Sequence, residues 1–178
     1  MCHRLAIQWR LASLPPCVEL HGGLEQAQRN QNLDQFRHGQ AAVLLATDVA
    51  ARGLDIPQVT LVVNYSLPPA FPQYCHRVGR TARAGRSGRA VSLVGENDRK
   101  LMRAIIKATP ITAARPKQRK LHAPLVKWFG KFLVESAKDV ESVLEAESQE
   151  KELRKAESEL KRAESILNGT RNQNGIDK

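Results

Sequence analysis

Four short apolar segments do most to limit what this chain can fold into. They are 17–20 (CVEL), 41–46 (AAVLLA), 59–63 (VTLVV) and 90–94 (AVSLV). Segments of this length and composition are typical of strands buried on both faces of a parallel sheet. Stretches with helical periodicity alternate with them, at 1–13, 25–38, 71–80 and 97–108. This alternation predicts an α/β fold layered around a mostly parallel sheet.

Polar residues follow three of these segments directly. His21-Gly22 follows the first, Thr47-Asp48 the second and Asn64-Tyr65 the third. Ligands of open parallel sheets bind outside the carboxyl ends of the strands. We therefore expect most of the chemistry of this chain to lie along one edge of the sheet.

The segment 76–86 (HRVGRTARAGR) is the most unusual in the chain, because four arginines in it are spaced three residues apart: Arg77, Arg80, Arg83 and Arg86. On a helix this spacing puts successive guanidinium groups about one turn apart, so that several can converge on one small anion. The planar, permanently charged fork of arginine pairs bidentately with phosphate oxygens. We interpret the segment as a polyphosphate site, the alternative being a solvated basic helix.

Charge and cysteine content narrow the class further. Residues 1–120 contain 18 Lys and Arg against 7 Asp and Glu, whereas residues 121–178 contain 10 against 11. Such a basic first part is expected to attract a polyanion such as nucleic acid, although charge alone does not separate RNA from DNA. The three cysteines and five histidines show no metal-ligand spacing, so we predict a reduced, intracellular protein without its own metal site. No apolar run approaches membrane-spanning length, so no membrane partner is expected.

Three motifs together resemble one family. The segment 74–85 (YCHRVGRTARAG) resembles the sixth motif of DEAD-box RNA helicases, 46–56 (ATDVAARGLDI) the fifth, and His21-Gly22 with Gln26-x-x-Arg29 the extension of the fourth. The chain is identified by this resemblance as the C-terminal RecA-like lobe of such a helicase. The implied fold is a RecA-like three-layer sandwich with a mostly parallel sheet whose first strand is missing, followed by a long helical C-terminal extension.

The resemblance also implies roles for individual residues. Those implied to bind the RNA backbone, without reading sequence, are Gly22, Gln26, Arg29, Thr47, Arg52 and Gly53. Asp55 matches the contact to the ribose of ATP, with Gly53 beside it. The arginine fingers that reach the γ-phosphate correspond to Arg80 and Arg83. Coupling between the ATP and RNA sites is implied for His76 and Arg77.

Plainer structural roles are open for some of these residues. Thr47 could cap the helix that follows it, and Arg29 could be an ordinary surface charge. Asp55 could be a capping or turn residue. The sequence alone does not decide between these roles and the implied ones.

The chain contains no G-x-x-x-x-G-K-[ST] loop and no Asp-Glu-Ala-Asp sequence. The family's cofactor is ATP with Mg²⁺, and the metal would be held mainly by an N-terminal RecA-like lobe, the expected protein partner. We therefore expect this chain to lack ATP hydrolase activity by itself. The alternatives are a non-catalytic RNA-binding or assembly module and a DNA translocase lobe; the fifth and sixth motifs argue against the translocase.

Four regions are predicted along the chain: an incomplete RecA-like domain at 1–108, a basic Pro-containing linker at 109–124, a helical or coiled-coil extension at 125–168 and a disordered tail at 169–178. The extension has an apolar seam with alternating spacings of three and four, at Leu153, Ala156, Leu160, Ala163 and Leu167. The segment 83–100 (RAGRSGRAVSLVGENDRK), followed by the basic linker and a Glu/Lys-rich helix, resembles the nucleolar branch of the family, which acts in large ribosomal subunit maturation and rRNA processing. This implies a nuclear, nucleolar location, with pre-ribosomal proteins bound by the helical tail.

Overall fold

The computed structural model of the chain describes residues 1–51, 56, 59–110 and 116–173. Two compact units are present: one contains Cys2 and residues 15–122, and the other contains Met1, 3–14 and 123–178. Helices and strands follow one another in this order: α1 Cys2–Leu11, β1 Cys17–Leu20, α2 Gln26–Arg37, β2 Val43–Ala46, α3 Asp48–Ala51, β3 Leu61–Asn64, α4 Phe71–Val78, β4 Arg89–Ser92, α5 Arg99–Ala108, α6 Ala123–Glu135 and α7 Ala137–Gln173.

All four strands pair in parallel, as predicted. Strand β1 pairs with β2 and strand β3 with β4, in registers that set Leu20 beside Ala46 and Asn64 beside Ser92. The predicted α/β class with parallel strands is therefore confirmed. The strands form two two-stranded sheets instead of one continuous sheet, and within the described ranges no ladder joins β2 to β3.

Helix α2 is fixed at its start and along its buried side. Glu25 and Gln28 form a reciprocal capping box, which satisfies backbone N–H groups that a helix start would otherwise leave unpaired. Farther along, the amide of Asn32 donates a hydrogen bond of 2.9 Å to the carbonyl of Glu19 in β1. Leu33 and Leu20 are both buried. Helix α2 therefore returns antiparallel to β1, and its first turn lies at the carboxyl end of the strand.

The second strand pair is built around a buried polar residue. The side-chain amide of Asn64, which is 1% exposed, donates to the hydroxyl of Ser92 at 3.1 Å. The N–H of Leu93 donates to the backbone carbonyl of Asn64 at 3.0 Å. The amide thus joins the ends of β3 and β4 side by side. Ile105 of α5 is buried as well, which gives this unit a second apolar centre.

The other unit contains α1, α6 and α7. Arg4 of α1 donates to Glu141 of α7 at 2.6 Å, and His3 hydrogen-bonds Glu147 one turn and a half farther along. Helix α7 continues to Gln173, and the disorder predicted for 169–178 remains a prediction. Residues 174–178 lie outside the described part.

The coiled coil of the extension remains a prediction. Two leucines of its seam, Leu153 and Leu160, are 64% and 61% exposed. Across the described part of the chain, no helix combines the length and the hydropathy that crossing a membrane requires.

The segment that joins α4 to β4 is held by a buried threonine. Thr81 is 8% exposed, and its hydroxyl donates to the carbonyl of Val59, just before β3. Gly88 lies against this threonine, because a Cβ added at Gly88 would stand 2.1 Å from the Oγ1 of Thr81 and 2.6 Å from the N of Ala82. Residue 88 therefore has to be glycine for the segment to keep this path.

Replacing Gly88 by alanine tests this packing. The added methyl group overpacks the contact with Thr81, which typically costs about 1–3 kcal/mol in the free energy of unfolding. Faster amide hydrogen exchange is expected throughout β3 and β4. The matched control is Gly130→Ala in α6, where no atom lies within 4 Å of the added Cβ. Equal exchange in β3 and β4 for both variants would contradict this packing.

Candidate functional site

The turn after β1 is organised by a histidine. The Nδ1 of His21 accepts a hydrogen bond of 3.1 Å from the N–H of Gly23, and its Nε2 lies 3.3 Å from a carboxylate oxygen of the buried Glu19. Gly22 stands between them, exposed, with no atom within 4 Å of the position that a Cβ would take. The backbone of this turn can therefore be approached closely by a ligand.

Two polar side chains of α2 meet beside this turn. The guanidinium of Arg29 donates to the side-chain oxygen of Gln26 at 3.2 Å, and the side-chain nitrogen of Gln26 donates to Asn30 at 2.9 Å. Gln26 is exposed and Arg29 is half-buried. Both belong to the first turns of α2, which lie at the carboxyl end of β1. The amide and the guanidinium are thus already positioned relative to each other.

Thr47 lies at the same edge. It follows β2 directly, is exposed, and its N–H donates to the carbonyl of Leu20 at 3.0 Å. This bond extends the pairing of β1 and β2 by one residue and aligns the two strand ends. The structure therefore brings to one edge four of the six residues that the sequence implies for RNA binding, namely Gly22, Gln26, Arg29 and Thr47.

The other two members of that set, Arg52 and Gly53, lie outside the described residues, as does Asp55, the residue implied to contact the ribose of ATP. The described part of this motif comprises residues 46–51, which include the short helix α3, and the buried Ile56. Their implied roles therefore remain predictions.

The arginine segment differs from its predicted form. Helix α4 ends at Val78, so that Arg77 alone of the four regularly spaced arginines lies in a helix. After Gly79 the backbone enters the left-handed region at Ala82 (φ 57°), Ala84 (φ 52°) and Gly85 (φ 75°). These conformations cannot continue a right-handed helix. The predicted stacking of all four guanidinium groups one helical turn apart is therefore wrong.

The arginines of this segment have different surroundings. Arg80 is half-buried and Arg83 is exposed, and the Nε of Arg83 donates to the carbonyl of Gly79 at 2.7 Å. His76, implied to take part in coupling, is exposed on the last turn of α4. Two non-glycine residues with positive φ in one short segment are uncommon, and such conformations concentrate at functional sites.

Arg77 makes the best-defined polar contact of the site. Its Nε and Nη2 donate to the two carboxylate oxygens of Asp48 at 2.6 and 2.7 Å. Its Nη1 donates to the carbonyl of Ser66 at 2.6 Å and lies 3.5 Å from the side-chain oxygen of Asn64. The guanidinium therefore connects the residue after Thr47 with the residues that follow β3.

Sequence reasoning did not give a role to Asp48. It lies 29 positions from Arg77, and neither helical nor strand spacing relates the two. The one available signal was its place directly after a predicted strand, beside Thr47. Thr81 was missed as well, although it sits inside the arginine segment.

Comparisons with known proteins identify the family of this chain. Residues 6–85 match the family model described as "Helicase conserved C-terminal domain". Among curated proteins, the chain is 45% identical over 155 residues to ATP-dependent RNA helicase drs1 of Schizosaccharomyces pombe, covering 87% of this chain and 20% of that protein. It is 45% identical over 167 residues to probable ATP-dependent RNA helicase ddx27 of Dictyostelium discoideum, covering 93% and 21%. The chain thus spans about a fifth of the length of these relatives.

Solved structures give the same assignment. The chain matches a crystal structure of E. coli DEAD-box protein SrmB, bound there to regulator of ribonuclease activity A, with a TM-score of 0.57 and 42% identity over 68% of this chain and 75% of that one. It matches S. cerevisiae Dbp5 bound to RNA and ADP BeF3 with a TM-score of 0.55 and 39% identity over 60% and 29%. The chain therefore belongs to the DEAD-box RNA helicase family and has the fold of its C-terminal RecA-like domain.

Proposed function

We propose that this chain acts as the second RecA-like lobe of an ATP-dependent RNA helicase, contacting the RNA backbone and supplying arginine fingers for ATP hydrolysis during local duplex unwinding. One observation carries the proposal: the turn after β1, the start of α2 and Thr47 form a single polar edge, which Asp48 and Arg77 connect to the arginine segment. The activity of the whole protein is part of this proposal, because the chain is much shorter than its relatives.

The polar edge suits the sugar–phosphate backbone better than base edges. It offers an exposed glycine turn, a hydroxyl at Thr47, an amide at Gln26 and a cationic fork at Arg29. Such groups position a nucleic-acid backbone and carry no sequence information. Together with the basic character of residues 1–120, this edge supports binding of single-stranded RNA without sequence preference.

The arginine segment would serve the nucleotide. Arg80 and Arg83 leave α4 on a backbone whose positive-φ residues and buried Thr81 restrict its path. Permanently charged groups held in this way are suited to stabilising the charge that develops on a transferring phosphoryl group. Gly53 and Asp55 would contact the nucleotide beside them. ATP would bind with Mg²⁺ held mainly by the N-terminal lobe, so this chain would be inactive as an ATP hydrolase by itself.

The helical extension, α6 and α7, supports placing this chain in one branch of the family. The similarity to drs1 and ddx27 covers 87% and 93% of this chain, and therefore includes much of α6 and α7. We propose a role in ribosome biogenesis and rRNA processing in the nucleolus, with α6 and α7 as the surface for pre-ribosomal proteins. The coiled-coil seam of α7 would take part in such contacts.

RNA binding by the chain itself is the first test. Fluorescence anisotropy should give equal affinities for two single-stranded RNAs of unrelated sequence, falling roughly tenfold or more between about 50 and 200 mM salt. Arg29→Ala should weaken binding about three- to tenfold, because one phosphate contact is lost. The matched control is Arg37→Ala, which removes the same charge at the opposite end of α2. Equal losses for both variants, or tighter binding of DNA, would contradict the assignment.

Arginine-finger chemistry needs both lobes. The corresponding segment of S. pombe drs1 can be replaced by this chain, and RNA-stimulated ATP hydrolysis measured. The hybrid should be active, and the chain alone inactive. Arg80→Ala or Arg83→Ala in the hybrid should lower kcat by about 10³-fold or more, since the charge that develops in the transition state loses its partner. ATP hydrolysis by the isolated chain would favour a different catalytic arrangement. Full activity of the Arg80→Ala hybrid would contradict the role of Arg80 as an arginine finger. A hybrid that binds RNA but stays inactive would favour the non-catalytic RNA-binding module.

The cellular assignment has its own test. Imaging of the fluorescently tagged protein in its own cells should show accumulation in the nucleolus, and the tag alone should not accumulate there. Deleting residues 123–178 should reduce this accumulation if the extension binds pre-ribosomal proteins. A tagged protein excluded from nucleoli would contradict the proposed role in ribosome biogenesis.

A further inference from the structure

The pairing of Arg77 with Asp48 is built as a two-point contact. Two guanidinium nitrogens meet two carboxylate oxygens at 2.6 and 2.7 Å, the parallel arrangement that fixes both the distance and the plane of the two groups. The side chains of Arg77 and Asp48 are 22% and 38% exposed, so the pair is only partly screened by water. This geometry is far more restrictive than the single-point ion pairs on the surface of α2 and α5.

The remaining nitrogen of the same guanidinium is also engaged. It donates to the carbonyl of Ser66 at 2.6 Å, and its distance to the side-chain oxygen of the buried Asn64 is 3.5 Å. Arg77 is therefore fixed against the end of β3 on one side and against Asp48 on the other. Because the guanidinium of Arg77 contacts both Asp48 and the end of β3, a displacement of Asp48 or of that strand end moves Arg77 as well.

The two ends of this contact belong to the two halves of the proposed site. Asp48 follows Thr47, one of the residues at the polar edge, and begins α3. Arg77 lies in the last turn of α4, two residues before Gly79 and three before Arg80. A change in the position of Thr47 and Asp48 would therefore be passed to Arg77 and to the residues that follow it.

We propose that Asp48 is a positioning residue, which through its bidentate contact with Arg77 fixes residues 79–86 of the arginine segment relative to Thr47 at the polar edge. This inference rests on the proposed function and deepens it, because it names the residue that links the RNA side of the lobe to its nucleotide side. Asp48 itself need not touch RNA or ATP.

The charge of Asp48 allows a positioning role to be distinguished from a purely electrostatic effect on RNA binding. Asp48 is an acidic residue beside a surface proposed to bind a polyanion, so removing its charge should strengthen RNA binding if charge were all that mattered. If Asp48 positions the site, removing its charge should weaken RNA binding instead. The two explanations thus predict opposite signs for the same substitution.

The test uses Asp48→Asn in the 178-residue chain, with two readouts. Asparagine has nearly the same size and shape as aspartate but can accept from Arg77 with one oxygen only, so the substitution removes mainly the charge and the two-point contact. RNA affinity, measured by anisotropy, should fall about fivefold or more, as expected for losing a charge-assisted contact that orders the site. In ¹⁵N spectra recorded without RNA, the amides of 79–86 should shift or broaden.

Two further variants serve as controls. Asp34→Asn removes the same charge from the distal part of α2, where Asp34 makes a single-point pair with Arg37 at 3.4 Å. It should leave the amides of 79–86 unmoved and the RNA affinity unchanged or slightly higher. Asp48→Glu keeps the carboxylate, and it should recover much of the affinity. Thermal melts of all the variants identify any that fail to fold.

Each outcome decides a specific claim. The positioning role is overturned if the Asp48→Asn variant binds RNA as tightly as the Asp34→Asn variant and its amide signals at 79–86 do not move. That result would leave the proposed function unaffected. A wild-type chain that does not bind RNA would overturn the proposed function. In that case the amide shifts alone decide whether Asp48 orders the arginine segment. If the Asp48→Asn variant fails to fold, the Asp48→Glu variant provides the test, because it keeps the carboxylate. Lost RNA affinity together with displaced amide signals at 79–86 in this variant would overturn the inference.

Discussion

The parallel pairing of short strands is the constraint on which the rest of the site depends. Once β1 pairs in register with β2, the residues that follow each strand come out at the same edge, and the N–H of Thr47 continues the ladder to the carbonyl of Leu20. The same holds for β3 and β4, which Asn64 and Ser92 join at their ends. Sequence-distant polar residues therefore become neighbours without any strong local preference of their own.

Repulsion between positive charges explains why the cationic side chains of this lobe need contacts that hold them in place. Many cationic groups in one small lobe repel one another and would spread apart in solvent unless the backbone and specific carboxylates hold them. The chain uses three means near the arginine segment: the Arg77 and Asp48 contact, the buried hydroxyl of Thr81, and left-handed backbone at 82, 84 and 85. Ordering these groups before a ligand arrives lowers the entropic cost of binding it.

The sequence predicted much of the fold because its strongest signals are local. The strands coincide with short apolar runs, and α1 ends before Pro15-Pro16, where a helix cannot continue. The expected burial of these strands on both faces is wrong, since Leu61, Val63 and Val91 are 49%, 53% and 45% exposed. The path of the arginine segment could not be predicted in the same way, since alanine rarely adopts positive φ and nothing about Ala82 or Ala84 signals it. The contact of Arg77 with Asp48 is equally invisible to periodicity, because tertiary structure alone brings the two residues together.

The central claim is that the edge formed by β1, β2 and the start of α2 is the RNA-binding surface of a helicase lobe. Its most direct test is to follow the backbone amide signals of the chain while a short single-stranded RNA is added. If this edge binds RNA, the largest changes will fall on residues 20–29 and 47–51. Changes confined to α6 and α7, with the signals of 20–29 and 47–51 unmoved, would contradict it.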